Sequence, residues 1–389
     1  MGLTSGLFTA VVVAMVVVLP LATVLLWSRV RGPRPVRQAQ RLGLIALCQG
    51  TAVLLAALLI NNAFQLYTSW SDLFGDNGPP GTIQAGATGP LSAIRPLSAT
   101  AGDADRPLPD FRLFRPDGRA PGQYKTTVTG AASHVTGDVV VWVPPQYRQA
   151  AYAHTEFPVI QLLSGIPGSP YSWFHGLSAV QIFQHELTLH AVRPVILVSA
   201  SINVVRSHNP DCSDIAHGPQ VATWLTRDVR DLVESSFRTM TNRSGWGLMG
   251  YSEGGLCASK LALQYPQEFA AAVSMSGDDH PDGDLLKPGT AAYNLNSPLW
   301  LLQHRTPPPV ALLLTGTLQD GSTAAEADAM GAAAKPPTLV ERLISERGGH
   351  NTGVWKSVEP ECYAWLVARL DGTRGSVLPA APKMITPVG

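Results

Sequence analysis

The chain has 389 residues, of which 45% are hydrophobic and 14% are charged, a rather apolar balance for a purely soluble protein. Its 28 basic and 28 acidic residues cancel, so no basic field indicates a nucleic-acid partner. The length suits one large domain with attachments, and the apolar balance directs attention first to membrane segments.

Two uncharged apolar runs lie near the N-terminus, at about residues 3–27 and 42–66. A helix over the first run would be about 37 Å long, enough to cross a hydrocarbon core of about 30 Å. Five arginines lie between the runs, and the arginine bias predicts that this loop faces the cytoplasm. We therefore expect residues 1–74 to form a two-span anchor with both ends outside. A cleavable signal peptide fits less well because the first run is too long, and a buried helical hairpin is the other alternative.

Proline, glycine, alanine and serine dominate residues 75–122, which predicts a linker. A folded domain is expected over residues 123–372, followed by a flexible tail at 373–389.

Strand and helix patterns alternate along the folded domain. Short, almost uninterrupted apolar runs predict strands, and longer amphipathic runs predict helices. The strands are expected at 126–129, 138–143, 157–163, 195–200, 246–249, 270–275, 310–315 and 339–344, and the helices at 172–190, 220–237, 256–265 and 355–370. This alternation predicts an α/β fold with a mostly parallel sheet covered by helices on both faces, and ligands bind beyond the carboxyl ends of such strands.

A G-x-S-x-G pattern, Gly250-Tyr251-Ser252-Glu253-Gly254, joins a predicted buried strand to a predicted helix. Glycines are needed there because the sharp turn strains the serine backbone and leaves no room for neighbouring side chains. The pattern predicts Ser252 as a catalytic nucleophile, and a glycine-rich structural turn is the alternative.

A serine hydroxyl needs a base within reach and a third group to orient that base. His350 lies in a loop after the last predicted strand, and Asp320 lies just past the strand before it. The order serine, acid, histidine is that of α/β-hydrolases. Glu326 or Asp328 could replace Asp320 as the acid if the loop folds back.

Two backbone amides are expected to form an oxyanion hole, one from the residue after the nucleophile and one from the loop after the third strand. These are the amides of Glu253 and Ile166, and Pro167 has no N–H to offer.

The chain has four cysteines, and Cys48 lies inside an apolar run. If the domain lies outside the cytoplasm, one bridge is expected, and Cys212 with Cys257 is the favoured pair. Cys362 could replace either partner, and three reduced thiols are the alternative.

Several motifs together resemble the putative-esterase family of α/β-hydrolases, which includes esterase D-type enzymes and secreted mycolyltransferases. They are Val141-Trp142-Val143-Pro144-Pro145, Ser164-Gly165, Gly250-Tyr251-Ser252-Glu253-Gly254-Gly255, Tyr265-Pro266, Ser274-Met275-Ser276-Gly277 and Gly349-His350. The resemblance covers about residues 124–370. It implies Ser252 as nucleophile, His350 as base, Asp320 as acid, and the amides of Ile166 and Glu253 as oxyanion hole. The chain departs from the family at Glu253, where methionine is frequent, and at Pro167, where mycolyltransferases carry arginine.

These observations predict a membrane-anchored, extracytoplasmic serine ester hydrolase that acts through an acyl-enzyme intermediate on a small-molecule or lipid ester. An acyltransferase that moves an acyl chain to a sugar or another alcohol is one alternative. A catalytically silent binding module is the other. No cofactor is expected, and the polar clusters at 207–217 and 278–284 lack the ligand spacing of a metal site.

Overall fold

The structure is a computed structural model that describes residues 2–64, 66–76, 78, 80–85, 111–205 and 207–371. The chain folds as two compact units. The first unit comprises Met1–Pro79, Thr317–Gly321 and Ser345–Val354, and the second comprises Pro80–Gly316, Ser322–Ile344 and Trp355–Gly389. The predicted tail at 373–389 and much of the predicted linker lie outside the described residues.

Two long apolar helices dominate the first unit: α1 (Gly6–Leu26) and α2 (Arg34–Phe64), followed by the short α3 (Trp70–Leu73). Both long helices have the length and composition to cross a membrane. Only 6% and 11% of their most apolar windows are buried, which is not the burial expected of a hairpin inside a globular core. The second helix begins eight residues before the predicted apolar run because arginine and glutamine are good helix formers.

A ten-stranded sheet forms the centre of the second unit. In chain order its strands are β1 (Ile83–Ala85), β2 (Arg115–Pro116), β3 (Gln123–Thr129), β4 (Thr136–Trp142), β5 (Val159–Leu163), β6 (Ile196–Ala200), β7 (Trp246–Tyr251), β8 (Ala271–Met275), β9 (Ala311–Thr317) and β10 (Leu339–Ser345). They are arranged β1-β10-β9-β8-β7-β5-β6-β4-β3-β2. Strands β6, β5, β7, β8 and β9 pair in parallel, while β4, β3 and β2 extend one side antiparallel.

The sheet is flanked by helices, as the alternating pattern predicts. They are α4 (Ala179–Thr188), α5 (Val221–Thr223), α6 (Val229–Ser236), α7 (Glu253–Gln264), α8 (Ala291–Leu295), α9 (Pro298–His304), α10 (Thr323–Ala333) and α11 (Thr352–Val367). All residues of β5 to β9 are buried, which explains why these strands read as continuous apolar runs. The α/β fold is therefore the one predicted from the sequence.

Several local expectations differ from the structure. A π-helical turn at Trp224–Asp228 interrupts the helix expected at 220–237, and β2 lies inside the predicted linker. The helix expected at 172–190 is divided into a π-helical turn at Ser172–Gly176 and α4, because Ser178 between them has a left-handed backbone (φ 62°). Strand β1 lies inside the predicted linker, and its Ile83–Ala85 pairs antiparallel with Leu343, Arg342 and Glu341 of β10. The linker stretch thus contributes an edge strand to the sheet.

A buried carboxylate fixes the turn between β3 and β4. Asp228 accepts hydrogen bonds from the backbone amides of Ala132 and Ser133, both at 2.9 Å. Burial opposes ionisation of this group, but the hydrogen bonds from Ser133 and the two amides outweigh it, so the pKa of Asp228 lies below its ordinary value.

Candidate active site

Ser252 lies on a sharp turn between β7 and α7. Its backbone has φ 56° and ψ −129°, a strained conformation for a residue with a side chain. Strand β7 continues to Tyr251 and α7 begins at Glu253, so the serine alone forms the turn. This is the geometry of a nucleophile elbow.

The glycines around Ser252 are required by close backbone approach. A Cβ at Gly250 would overlap the carbonyl group of Gly254, and a Cβ at Gly254 would overlap the carbonyl of Leu163 in β5. Any larger residue at either position would push the elbow away from the sheet.

The loop after β5 runs directly beside Ser252. A Cβ at Gly165 would lie 2.9 Å from the Cβ of Ser252, so only glycine allows this approach. The Asn203 side chain donates to the carbonyls of Gly165 (3.3 Å) and Gly168 (2.8 Å) and thereby fixes the loop. Ile166 lies within the part that Asn203 holds.

Glu253 begins α7, and the first amides of a helix have no partner within it. The amide of Glu253 is one of these first amides. Its side chain is buried, and its carboxyl oxygen lies within 4.8 Å of those of Asp211 and Asp282. Burial and then the charges of these two aspartates raise the pKa of Glu253 well above its ordinary value. The raised pKa favours the protonated form of this side chain, which carries no negative charge beside the elbow.

A disulfide and a buried lysine connect α7 to residues 211–213, which precede it in the chain. Cys212 and Cys257, the pair favoured by the sequence, are joined with an Sγ–Sγ distance of 2.06 Å. Lys260, one turn further along α7, donates to the Asp211 carbonyl and to the Ser213 hydroxyl. Burial lowers the pKa of Lys260 to about 8.

Asp320 and His350 form a hydrogen-bonded pair. His350 Nδ1 lies 3.0 Å and 3.1 Å from the two carboxylate oxygens of Asp320. The carboxylate is buried, whereas 24% of the His350 side chain is exposed. Because a carboxylate only accepts hydrogen bonds, Nδ1 carries the hydrogen in this contact, and in the neutral imidazole Nε2 is then the acceptor.

The loops that carry this pair are bonded to each other. The Thr317 hydroxyl donates to the Gly348 carbonyl at 2.5 Å, and the Leu318 amide donates to the Ser345 carbonyl at 3.0 Å. The segments after β9 and β10 are thus held side by side.

The two alternative acids have other partners. Glu326 accepts from the Ser322 hydroxyl at 2.6 Å and from the Asp279 amide at 3.2 Å. Asp328 is largely exposed and forms an ion pair with Arg342. The carboxylate that contacts His350 is therefore that of Asp320.

Comparison with known proteins finds a family model that matches part of the chain. Residues 136–306 match the family model described as "Putative esterase". Over these residues the chain is similar to esterases of that family.

Individual relatives are distant. An uncharacterised protein of Corynebacterium glutamicum is 23% identical over 259 residues, which are 63% of this chain and 60% of that protein. An S-formylglutathione hydrolase from Agrobacterium tumefaciens has a TM-score of 0.57 at 16% identity, covering 66% of this chain and 99% of the other. A fluorophosphonate-binding serine hydrolase of Staphylococcus aureus has a TM-score of 0.51 at 16% identity, covering 63% and 98%. These structural likenesses concern the fold.

Proposed function

We propose that the protein is a serine ester hydrolase in which Ser252, His350 and Asp320 act as a catalytic triad. The observation that carries this proposal is the coexistence of a strained serine elbow after β7 with a hydrogen bond between His350 Nδ1 and the buried carboxylate of Asp320. Strands β7, β8 and β9 run parallel, and the active groups of such sheets lie beyond the carboxyl ends.

In this mechanism His350 Nε2 takes the Ser252 proton as Oγ attacks the ester carbonyl carbon. The carbonyl oxygen gains the negative charge and is bound by the amides of Glu253 and Ile166. Collapse of the tetrahedral intermediate expels the alcohol, which receives the proton from His350, and leaves an acyl group on Ser252. A water molecule then repeats the sequence, releases the carboxylic acid and restores the serine.

We further propose that α1 and α2 anchor the protein in a membrane with the hydrolase on the extracytoplasmic side. The five arginines between the two apolar runs favour a cytoplasmic location for this part of the chain. The Cys212–Cys257 disulfide suits an oxidising compartment. Protease added to intact cells should cleave the hydrolase region but spare the inter-helix loop, and the opposite protection pattern would contradict this topology.

The test of the enzymatic proposal uses the purified full chain, labelled with a fluorophosphonate and assayed with p-nitrophenyl esters of graded chain length. We expect labelling and turnover, both abolished in Ser252→Ala. A folded wild-type protein that neither reacts with the probe nor hydrolyses any ester would refute it. The chain-length profile would also size the acyl pocket.

A further inference from the structure

The loop that carries His350 is bonded to a segment near the other end of the chain. We call residues 66–74, which follow α2, the post-helix segment, and residues 346–351, between β10 and α11, the histidine loop. The Asn351 side-chain amide donates to the Leu66 carbonyl at 2.7 Å. The two segments therefore meet immediately beside His350.

Asp72 is the centre of this contact. One of its carboxylate oxygens accepts from the Gly349 amide at 3.0 Å, and the other accepts from the Asn351 side chain at 3.0 Å. These partners are the residues directly before and after His350. The Asp72 side chain is only 3% exposed, and buried hydrogen bonds to a charged group are among the stronger ones in proteins.

The post-helix segment also reaches the loop that carries the acid. The Thr68 hydroxyl donates to the Gln319 side-chain oxygen at 2.9 Å, and the same oxygen accepts from the Gly348 amide at 3.2 Å. One segment thus holds both the residue before Asp320 and the histidine loop.

The two apolar helices hold the post-helix segment in turn. Asn61 of α2 exchanges two hydrogen bonds with the backbone of Tyr67, each 2.9 Å long. Phe8 of α1 packs edge-on against Trp70 at 5.5 Å between ring centroids. A continuous set of contacts therefore connects the helix pair to both sides of His350.

We propose that Asp72 is a positioning residue for catalysis, which fixes the histidine loop so that His350 meets the nucleophile, and that the helix pair is thereby part of the active-site support. This inference rests on the proposed function. Asp72 contacts neither substrate nor reacting atoms; it acts through the backbone of Gly349 and the side chain of Asn351. Misplacement of a catalytic base by about 1 Å lowers turnover by about 10²-fold, so such support matters for kcat more than for substrate binding.

Asp72→Asn in the full chain tests this. The variant places an amide N–H₂ opposite the Asn351 amide, so two donors face each other. We expect kcat for p-nitrophenyl ester hydrolysis to fall about 10- to 100-fold with KM changed less than about twofold, and the Gly349 amide to exchange faster with solvent deuterium. Asp76→Asn, four residues further on and exposed, removes the same charge and should change neither quantity.

A double variant in which Asp72 and Asn351 are exchanged tests whether the lost activity can be restored. In Asp72→Asn/Asn351→Asp the donor and acceptor are swapped, and residue 351 can still accept from the amides of Gly353 and Val354 as Asn351 does. The bond from residue 351 to the Leu66 carbonyl is lost in this variant, so the rescue is partial. The double variant should recover part of kcat, whereas Asn351→Asp alone places two carboxylates together and should be impaired. Wild-type kcat in Asp72→Asn, or simply additive effects in the double variant, would overturn the inference. A wild-type protein without esterase activity would overturn the proposed function, and the deuterium exchange of Gly349 would still show whether Asp72 holds the loop.

Discussion

Asp320→Asn is expected to lower kcat by about 10⁴-fold while the protein remains folded. The Asp320 carboxylate is 2% exposed and accepts from His350 Nδ1 at 3.0 Å. An amide of the same shape can donate toward Nδ1, which moves the imidazole hydrogen to Nε2. In that tautomer His350 cannot accept the proton of Ser252.

The size of the loss distinguishes two explanations. A 10⁴-fold loss corresponds to about 5.4 kcal/mol, because each tenfold change in rate is about 1.36 kcal/mol. Loss of one hydrogen bond to a charged group accounts for only about 1.5–3 kcal/mol. A loss of 10- to 100-fold would therefore indicate a weakened contact without a change of tautomer.

The assay is the kcat of p-nitrophenyl ester hydrolysis by the full chain, with thermal unfolding as the control for folding. Asp328→Asn and Glu326→Gln are matched controls, since these carboxyl groups bind Arg342 and Ser322 instead. Both controls should retain wild-type kcat. Near-normal activity in Asp320→Asn, or a large loss in either control, would refute the assignment of the acid.

Three further outcomes are expected. Because the folded pKa of Glu253 is raised, unfolding releases its proton, and this group lowers the stability of the protein as pH rises above about 4.3. Glu253→Gln should reduce this pH dependence in urea titrations and keep kcat/KM within about threefold. Replacing Cys212 and Cys257 by serine should lower the free energy of unfolding by about 4 kcal/mol, since the bridge closes a loop of 45 residues; an unchanged urea midpoint would contradict this. Because the pKa of Asp228 is lowered in the folded state, this group stabilises the protein above about pH 3.9, and the stabilisation is lost as pH falls through the pKa of the folded state. Asp228→Asn should lower the free energy of unfolding by about 1–3 kcal/mol at neutral pH and should make that free energy depend less on pH in acid.

The elbow could be predicted from sequence because its constraints are local. Glycines at 250 and 254 flank a serine between an apolar strand and a helix, and the steric reason for them lies within a few residues and the adjoining strand. The Asp320–His350 pair could be predicted from the sequence for a different reason. Both residues follow late strands of a parallel sheet, in the order serine, acid, histidine.

The support around these groups could not be predicted in the same way. Asp72 and Gly349 are 277 residues apart in sequence, and a single aspartate after an apolar run carries no local signal of that contact. Asn203 likewise binds Gly168 across 35 residues from a loop without a recognisable motif. Such contacts depend on how loops pack, and periodicity does not encode that packing.

The central claim is that Ser252 carries the acyl group during turnover. Rapid quenching of the full chain with a p-nitrophenyl ester, followed by mass spectrometry of its peptides, measures this directly. We predict a burst of p-nitrophenol and a mass increase of one acyl group on the peptide that contains Ser252. Turnover with no adduct on that peptide, or with the adduct on another residue, would contradict the account.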